Sequence, residues 1–439
     1  MESAQAIRRR DENLTTVPDY GPYRPLTTDT VAERLATYVG MAERLGGHPT
    51  DWTVREVGDG NLNFVYIVTG PAGSVCVKQA LPFVRLVGES WPLPLSRSFY
   101  EHAALVRQDK ANGSVPEIHH FDGPQALIVM ENLTPHVIWR KALIERQRHG
   151  AAARIVGEFC AETLFRTSTL ALSAEQAKAE IALFAGNTAL AKITEDLVFT
   201  DPYTNHPMND FLRPEMDATV AAVWGDPQWR AAIQDLKFAF MSRAEALVHG
   251  DLHTGSIMVA HTDAGEDVRV IDPEFAFYGP MGFDLGALTA NLLLNYFAQD
   301  AWGEQPAVYR DWLAEQIQCF HGTFARRFSE LWRSERGGDA FSAALFEERG
   351  DKDGIEIALT GFLERVERDA LGFAGAKMTR RIIGLAGVAD LRGIERREVR
   401  ATAERRALAL ARQLVVERGE IHTIGHVIER AERTLRDVS

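Results

Sequence analysis

Apolar and polar residues alternate in two different ways along this chain, and the change comes near residue 135. Before it, short runs rich in β-branched and aromatic residues are separated by turn residues, a pattern typical of antiparallel strands. The turns are Gly-Asp-Gly-Asn at 58–61 and Gly-Pro-Ala-Gly at 70–73. We predict strands over residues 52–57, 64–69, 74–78 and 126–130, and a helix over residues 98–108. The first part is therefore expected to be a small antiparallel sheet with a helix.

Beyond about residue 135, helix formers and an apolar period of about 3.6 residues predict a mainly helical part. Two short apolar runs interrupt it, at 247–251 and 268–272, and each ends in an aspartate. The predicted fold class is α+β, with a sheet-rich N-lobe over residues 1–133 and a larger helical C-lobe over residues 134–439. Glu131 and Asn132 form a candidate hinge at the junction.

The overall charge disfavours a protein that coats nucleic acid. Across 439 residues, 48 Lys and Arg stand against 61 Asp and Glu, a formal net charge of −13. A phosphate backbone attracts basic surfaces, so an acidic chain is a poor general partner for it, although a local basic patch can still hold a phosphate. We expect a small-molecule partner and no nucleic acid.

Cysteine usage and hydropathy indicate a cytoplasmic protein. The three cysteines are an odd number and widely spaced, and no C-x-x-C pair suggests zinc or a redox dithiol. The N-terminal residues contain no apolar signal segment, and no run of about 18 apolar residues could cross a membrane. We predict a reduced protein without a disulfide framework or a membrane span.

Three carboxylates could converge where the two aspartate-bearing strands end. Asp251 and Asp272 lie at the ends of the apolar runs, and Glu274 follows after one proline. Hard oxygen ligands of this kind suit Mg²⁺, which takes one or two protein carboxylates and completes its shell with phosphates and water. An isolated aspartate at a strand end more commonly caps a turn, but the neighbouring Gly250 and Gly255 favour a loop that a ligand approaches closely.

The glycine turn at 58–61 fits neither common nucleotide-binding motif. It lacks the third glycine of the dinucleotide fingerprint, and the chain contains no G-x-x-x-x-G-K-[ST] loop. With Lys78 on the next strand, it instead resembles the nucleotide lobe of protein kinases, and Glu101 on the following helix is the best residue to orient that lysine. Taken alone, such a glycine turn is more commonly an ordinary hairpin, and such a lysine is more commonly a solvated strand residue.

The order of these features is more informative than any one of them. Glycine turn, lysine, glutamate, hinge, His-Gly-Asp and Asp-x-Glu follow the kinase plan over residues 52–287. The sequence His-Gly-Asp-Leu-His at 249–253 resembles the catalytic loop of the aminoglycoside and choline kinase group rather than that of protein kinases. This resemblance favours a bilobal protein-kinase-like fold, with ATP between the lobes and a small metabolite as acceptor.

Longer stretches resemble the methylthioribose kinase family, over nearly the whole chain. They lie at 58–63, 77–82, 88–93, 249–257 and 272–284. The resemblance implies phosphorylation of the 1-hydroxyl of 5-methylthioribose in methionine salvage, with ATP as co-substrate and Mg²⁺ as cofactor. It also implies a cytoplasmic homodimer.

The kinase plan and this resemblance assign roles to single residues. Asp251 is the expected catalytic residue, which orients the sugar hydroxyl and accepts its proton, and Asp272 and Glu274 are the expected Mg²⁺ ligands. The expected ATP-binding residues are Asn61, Lys78, Glu101, Glu131, Asn132, Leu133, Asp272 and Glu274. The expected substrate-binding residues are Asp251, Arg380 and Arg381.

The two arginines have a second interpretation. Consecutive helical residues point about 100° apart, so Arg380 and Arg381 cannot both face one partner squarely. A solvated surface helix explains them equally well, because paired arginines on exposed faces are common. The resemblance implies instead that the pair binds the substrate.

Two positions depart from the wider kinase pattern. Ser256 stands where a metal-binding asparagine is usual, and Asp-Pro-Glu replaces Asp-Phe-Gly at 272–274. A neutral hydroxyl is a poorer ligand for a hard dication than a carboxylate, so we expect Glu274 to supply the ligand that Ser256 cannot. Asp284 is expected to brace the catalytic loop.

Two rival functions remain. One is a related kinase for an aminoglycoside, choline or homoserine; cationic substrates of this type would need carboxylates or an aromatic cage, and Arg380 and Arg381 would repel them. The other is a catalytically silent nucleotide-binding module, which has no need to keep Lys78, Asp251 and the Asp-Pro-Glu carboxylates together.

Overall fold

The computed structural model describes residues 15–58, 62–84 and 88–438, and of Glu89 only the main chain. The centre of the predicted glycine turn, including Asn61, lies outside these residues. The chain divides into two compact units. Unit 1 contains the described residues up to Pro135, with Leu183–Leu190 and Ile271–Ala276. Unit 2 contains His136–Ala182, Ala191–Val270 and the described residues from Phe277 onward.

The predicted boundary at 133/134 treats each lobe as one continuous stretch. Along the chain, unit 1 gives way to unit 2 at 135/136, two residues after the predicted boundary. Unit 1 also includes two short segments from later in the chain. One of them, Ile271–Ala276, contains Asp272 and Glu274, which the sequence placed in the C-lobe. Contacts between residues distant in sequence decide this grouping, and a linear pattern does not reveal them.

Unit 1 is built on a five-stranded antiparallel sheet in the order β1-β2-β3-β7-β6. The strands are β1 (Thr53–Glu56), β2 (Asn63–Thr69), β3 (Ser74–Ala80), β6 (Ile118–Asp122) and β7 (Leu127–Glu131). A two-stranded ribbon adds β4 (Phe83–Val84) and β5 (Gly88–Pro92). The predicted strands are confirmed, but β7 begins one residue late because Ala126 adopts a left-handed φ of 50° at the end of the preceding turn.

One face of this sheet is buried under the N-terminal helices. Helices α1 (Val31–Ala36) and α2 (Met41–Leu45) contribute to a core that includes Val68, Val77 and Val129. Helix α3 (Arg97–Ala111) extends the predicted helix at both ends. Short 3₁₀ turns cover Pro49–Asp51 and Gly123–Gln125. Burial of these alternating apolar positions fixes the register of β3, since a one-residue slip would turn its core side chains to the other face.

Unit 2 is mainly helical, as predicted, and the α+β fold class is confirmed. The helices that follow α3 along the chain are α4 (Trp139–Ile144), α5 (Ala152–Arg166), α6 (Ala174–Phe184), α7 (Thr188–Phe199), α8 (Asp217–Gly225), α9 (Pro227–Ser242), α10 (Gly282–Trp302), α11 (Pro306–Ser334), α12 (Lys352–Ile383), α13 (Ala389–Arg392), α14 (Arg397–Val416) and α15 (Ile424–Asp437). The last residues of α6 and the first residues of α7 belong to unit 1. Further 3₁₀ turns cover Asp201–Tyr203, Ala343–Leu345 and Glu347–Arg349.

Unit 2 also holds two small antiparallel sheets. One has the order β11-β10-β8, with β8 (Val137–Ile138), β10 (Ile257–Thr262) and β11 (Gly265–Val270). The other pairs β9 (Ala246–Val248) with β12 (Phe277–Gly279). The two aspartate-bearing strands, β9 and β11, therefore belong to different sheets. A tight turn at residues 262–265 pairs β11 with β10.

Two glycines set how closely α10 and α12 pack. A Cβ atom at Gly286 would lie 2.5 Å from the carbonyl oxygen of Ala370, and one at Gly282 would lie 2.7 Å from the backbone of Val366 and Ala370. Real Cβ contacts are never this short, so only glycine permits the approach. The contact fixes the part of α12 that precedes its C-terminal turns.

Among the described residues, no helix is long and apolar enough to cross a membrane.

Candidate active site

Lys78 lies at the centre of a buried cluster of charges in unit 1. Strand β3 aligns it with Val65 on one side and Ile128 on the other, in the middle of the sheet. Its Nζ donates a hydrogen bond to Glu101 Oε1 at 2.7 Å and another to Asp272 Oδ1. The predicted pairing of Lys78 with Glu101 is therefore present. Burial alone would lower the pKa of Lys78, but the carboxylates of Asp272, Glu101 and Glu274 outweigh it and raise that pKa.

Glu101 comes from α3 and is itself 2% exposed. Burial raises its pKa, against the attraction of Lys78, because an ionised carboxylate loses its hydration in the interior. Lys78 is therefore the neighbour that favours the ionised form of Glu101, and Glu101 in turn favours the protonated form of Lys78.

Glu274 is fixed by three residues that the sequence did not indicate. Its Oε2 accepts a hydrogen bond from Asn63 Nδ2 at 3.2 Å and lies 3.5 Å from Arg97 Nε. Asn187 Nδ2 donates to the carbonyl oxygens of Glu274 and Ala276 at 2.9 and 3.0 Å. Burial and then the nearby Asp272 raise the pKa of Glu274. Arg97 and Asn63 also contact each other, at 3.0 Å.

The carboxylates of Glu101, Asp272 and Glu274 fit a hard cation. Their ligand oxygens all lie within 4.8 Å of one another. Asp272 adopts a left-handed φ of 68°, uncommon for a residue with a side chain and often found at functional sites. Mg²⁺ prefers carboxylate oxygens of this kind, and two of the three carboxylates, Glu101 and Asp272, also accept hydrogen bonds from Lys78.

The predicted catalytic loop belongs to unit 2, where Asp284 holds it. Asp284, on the first turn of α10, accepts hydrogen bonds from the backbone N–H of His249 at 2.6 Å and of Gly250 at 3.0 Å. The predicted brace is confirmed. Ser256 Oγ donates to the carbonyl oxygen of Asp251 at 3.0 Å, so its hydroxyl serves the loop itself.

The carboxylate of Asp251 is surrounded by cationic groups. Lys377 Nζ donates to Oδ1 at 2.8 Å, while His253 Nε2 and Arg381 Nη2 lie 3.3 and 3.5 Å from Oδ2. Burial would raise the pKa of Asp251, but Lys377, His253 and Arg381 outweigh it and hold that pKa well below its usual range. Burial lowers the pKa of His253 to about 3, so the imidazole is neutral at pH 7 and the charges that matter are those of Lys377 and the arginines.

The twin arginines lie on a buried part of α12. Arg381 is 6% exposed and donates from Nη1 to the carbonyl oxygen of Ala386 at 3.0 Å. In the part of the chain that the structure describes, Nε and Nη1 of Arg380 and Nε and Nη2 of Arg381 are buried without a hydrogen-bond acceptor. The solvated-helix interpretation is therefore wrong, because Arg381 is buried and Arg380 is half-buried with two of its nitrogen atoms enclosed. Buried guanidinium N–H groups without acceptors favour a ligand that brings oxygen atoms.

The remaining predicted residues lie at the end of β7. Glu131 is the last residue of the strand, and its backbone N–H bonds to the carbonyl of Glu117 at 2.9 Å. The side chain of Asn132 holds the following turn, because Nδ2 donates to Ser74 Oγ at 2.9 Å and Oδ1 accepts from the N–H of Thr134 at 3.3 Å. Leu133 is buried.

Sequence reasoning did not assign Lys377, although a signal was present. Lys377 and Arg381 are four residues apart on one helix, and residues at this spacing share a face. Arg97, Asn63 and Asn187 offered no comparable signal, since their partner Glu274 lies 87 to 211 residues away.

Comparison with known proteins agrees with this geometry. Residues 53–326 match the model of the "Phosphotransferase enzyme family". A methylthioribose kinase of Escherichia coli O45:K1 is 45% identical over 415 residues, which cover 93% of this chain and 98% of that protein. The chain belongs to the methylthioribose kinase family. The predicted resemblance is confirmed.

Other members of the methylthioribose kinase family are similarly close. Methylthioribose kinase 1 of Oryza sativa subsp. japonica is 40% identical, over 94% of this chain and 96% of its own. The methylthioribose kinase of Geobacillus thermodenitrificans is 41% identical, over 91% and 94%. A solved structure of Plasmodium vivax ethanolamine kinase is similar over 93% of this chain and 99% of its own, with a TM-score of 0.46 and 10% identity. That likeness is too low for a conclusion about fold or substrate.

Proposed function

We propose that this protein transfers the γ-phosphate of ATP to the 1-hydroxyl of 5-methylthioribose, a reaction of methionine salvage. The observation that carries the proposal is the match, over nearly the full length of both chains, to relatives named methylthioribose kinase. The chemistry of the site supports it, because a buried lysine–carboxylate cluster and an ionised aspartate are the parts that phosphoryl transfer requires.

The nucleotide is assigned to unit 1. We propose that Lys78, oriented by Glu101, contacts the α- or β-phosphate, and that Asn61 also binds ATP. The backbone of residues 131–133 would meet the adenine. Asp272 and Glu274 would hold Mg²⁺, which, when bound, neutralises charge on the phosphates. The engagement of Ser256 with the loop backbone supports Glu274 rather than Ser256 as the second ligand.

The sugar is assigned to unit 2. Asp251 would orient the 1-hydroxyl and accept its proton as the oxygen attacks the γ-phosphorus. The new O–P bond then forms while the bond to the ADP oxygen breaks. Arg380 and Arg381 would donate to oxygen atoms of the sugar, which gives their buried N–H groups acceptors.

Cationic substrates fit this surrounding poorly. Lys377, Arg380 and Arg381 all influence the electrostatics of Asp251, and a choline or aminoglycoside ammonium brought among them would meet like charges. A silent nucleotide-binding module is also disfavoured, because such a module gains nothing from an acidic residue that its neighbours keep ionised.

The proposal is tested by incubating the protein with ATP, Mg²⁺ and methylthioribose, ribose, choline, homoserine or kanamycin in turn. We expect stoichiometric ADP and a sugar 1-phosphate, identified by ³¹P NMR, with methylthioribose only. Turnover with choline or kanamycin and none with methylthioribose would refute the substrate assignment. If none of the acceptors in the panel leads to ADP formation, the kinase assignment is refuted.

We also propose that the protein is a cytoplasmic homodimer, as the family resemblance implies. Light scattering after size-exclusion chromatography measures the mass directly. A mass of about twice 48.8 kDa supports the dimer, and 48.8 kDa refutes it.

A further inference from the structure

Lys377 is the closest cationic partner of the catalytic carboxylate, and it comes from a distant part of the chain. It lies on α12, is 3% exposed, and its Nζ donates to Asp251 Oδ1 at 2.8 Å across 126 positions of sequence. The ammonium also lies 4.7 Å from the ring centroid of Phe283, over a face that attracts cations. An aromatic ring on α10 and a carboxylate on the loop thus hold one ammonium between them.

We infer that Lys377 is a positioning residue for the phosphoryl transfer, which fixes the carboxylate of Asp251 through Oδ1 and leaves Oδ2 to receive the proton of the acceptor hydroxyl. This inference rests on the proposed function of Asp251. The two oxygens differ as it requires: Oδ1 has a charged hydrogen bond, while the contacts of Oδ2 to His253 and Arg381 are longer, at 3.3 and 3.5 Å. A charged hydrogen bond to one oxygen restricts the rotation of the carboxylate.

The same contact keeps Asp251 ionised. The groups that face it are Lys377, Arg380 and Arg381 from α12 and the neutral His253 from its own loop, while Asp284 of α10 faces Lys377. Burial opposes ionisation, so loss of Lys377 removes a compensating charge and raises the pKa of Asp251. A base works only when deprotonated, and therefore the acid limb of kcat/KM follows this pKa.

The experiment compares the pH dependence of kcat/KM for the wild type, Lys377→Met, Lys377→Gln and Lys377→Arg. For Lys377→Met and Lys377→Gln we expect an acid limb at least about one pH unit above that of the wild type, the usual size for loss of a close opposite charge. Lys377→Arg keeps the charge and should restore the wild-type limb. In all variants kcat should fall more than the KM for ATP rises.

The matched control is Lys352→Met, at the exposed start of the same helix. It should leave the profile and the rate unchanged. If Lys377→Met does not fold, Lys377→Gln, which keeps a hydrogen-bond donor and most of the volume, carries the comparison. An acid limb that stays at the wild-type pH while activity falls would show a purely structural role and would overturn the inference.

The outcome is separable from the proposed function. The profile is measured with whichever acceptor of the panel the wild type phosphorylates, so a failure of methylthioribose leaves this test intact. The urea midpoint gives a readout without turnover: raising the pKa of buried Asp251 makes its ionisation unfavourable as pH rises. Because the pKa of Asp251 lies well below its usual range in the wild type, Lys377→Met should destabilise the protein more at pH 7 than at about pH 3. Equal destabilisation at both values would contradict the inference.

Discussion

Replacing Lys78 with methionine tests whether the buried charges of Lys78, Glu101 and Asp272 stabilise one another. The side chains of Lys78 and Glu101 are only 10% and 3% exposed, so their ion pair is not screened by water. Methionine keeps the apolar stem and removes the ammonium, which leaves Glu101 and Asp272 without their shared partner. Breaking a buried pair by removing one member costs about 3–5 kcal/mol, and we expect a loss of this size at pH 7–8.

The loss should depend on pH in a defined direction. Burial already raises the pKa of Glu101 above its unfolded value, and loss of the lysine raises it further. A carboxyl group with a raised folded pKa binds a proton more readily when folded, so its unfavourable contribution is small at low pH and grows as pH rises. The pKa of Glu101 is about 8 in the wild type, so the gap in stability between Lys78→Met and the wild type should widen as pH rises from 7 to 9.

A second substitution separates the effect of an unpaired charge on stability from the effect of altered packing. In Lys78→Met/Glu101→Gln the buried charge on residue 101 is removed together with its partner, and we expect most of the lost stability to return. Lys110→Met, at the exposed end of α3, is the control and should change stability by less than about 0.5 kcal/mol. Both variants at residue 78 should bind ATP weakly, since neither can contact a phosphate.

Urea unfolding at pH 7 and pH 9, with calorimetric ATP binding, measures these quantities. The reasoning is refuted if the double variant is as unstable as Lys78→Met, because the loss would then come from packing. Wild-type kinetics in a folded Lys78→Met variant would remove Lys78 from the nucleotide site.

Four further predictions concern single residues. Asp251→Asn should bind ATP and sugar in a calorimeter while kcat falls by about 10²- to 10⁴-fold, or roughly 3–5 kcal/mol of barrier; more than a tenth of wild-type kcat would exclude the general-base role. Arg380→Ala should raise the KM for the sugar and leave ATP affinity unchanged, as steady-state kinetics would show. Asp272→Ala should abolish turnover and Glu274→Ala should raise the Mg²⁺ requirement in a metal titration; an unchanged magnesium dependence for Glu274→Ala would argue against its role. Asp284→Asn can satisfy only one of the two loop N–H groups, so hydrogen exchange of a peptide covering residues 247–252 should accelerate, with about 1–3 kcal/mol lost from local stability.

The parts of the fold that sequence predicted are those set by local patterns. The strands around Lys78 follow from alternation and turn residues, and Glu101 follows from the kinase plan, in which a glutamate on the next helix orients the lysine. The contact between Asp284 and the predicted catalytic loop could be expected from sequence, because Asp284 follows Asp272 and Glu274 closely along the chain, in the order of the kinase plan.

The parts that sequence did not predict depend on contacts between distant segments. The solvated interpretation of Arg380 and Arg381 failed because the sequence pattern of α12 does not show that its C-terminal half is enclosed. Arg97 lies outside the predicted helix, yet it is fully buried beside Glu274. Strand β9 pairs with β12 rather than with a neighbour in sequence, since a three-residue strand carries too little pattern to specify its partner.

The close contact between α10 and α12 has a consequence for mutational data. A methyl group at Gly286 would collide with the backbone of Ala370 and Ala374, and Lys377 and Arg381 follow on the same rigid helix one to three turns later. Helices shift as bodies, and a misplacement of about 1 Å at reacting groups can reduce rates by about 10²-fold. A deep mutational scan scored by growth on methylthioribose would therefore mark Gly286 as strongly as the twin arginines, although it has no side chain to offer. The functional positions found in such a scan would include residues at the contact between α10 and α12 as well as the proposed substrate-binding residues.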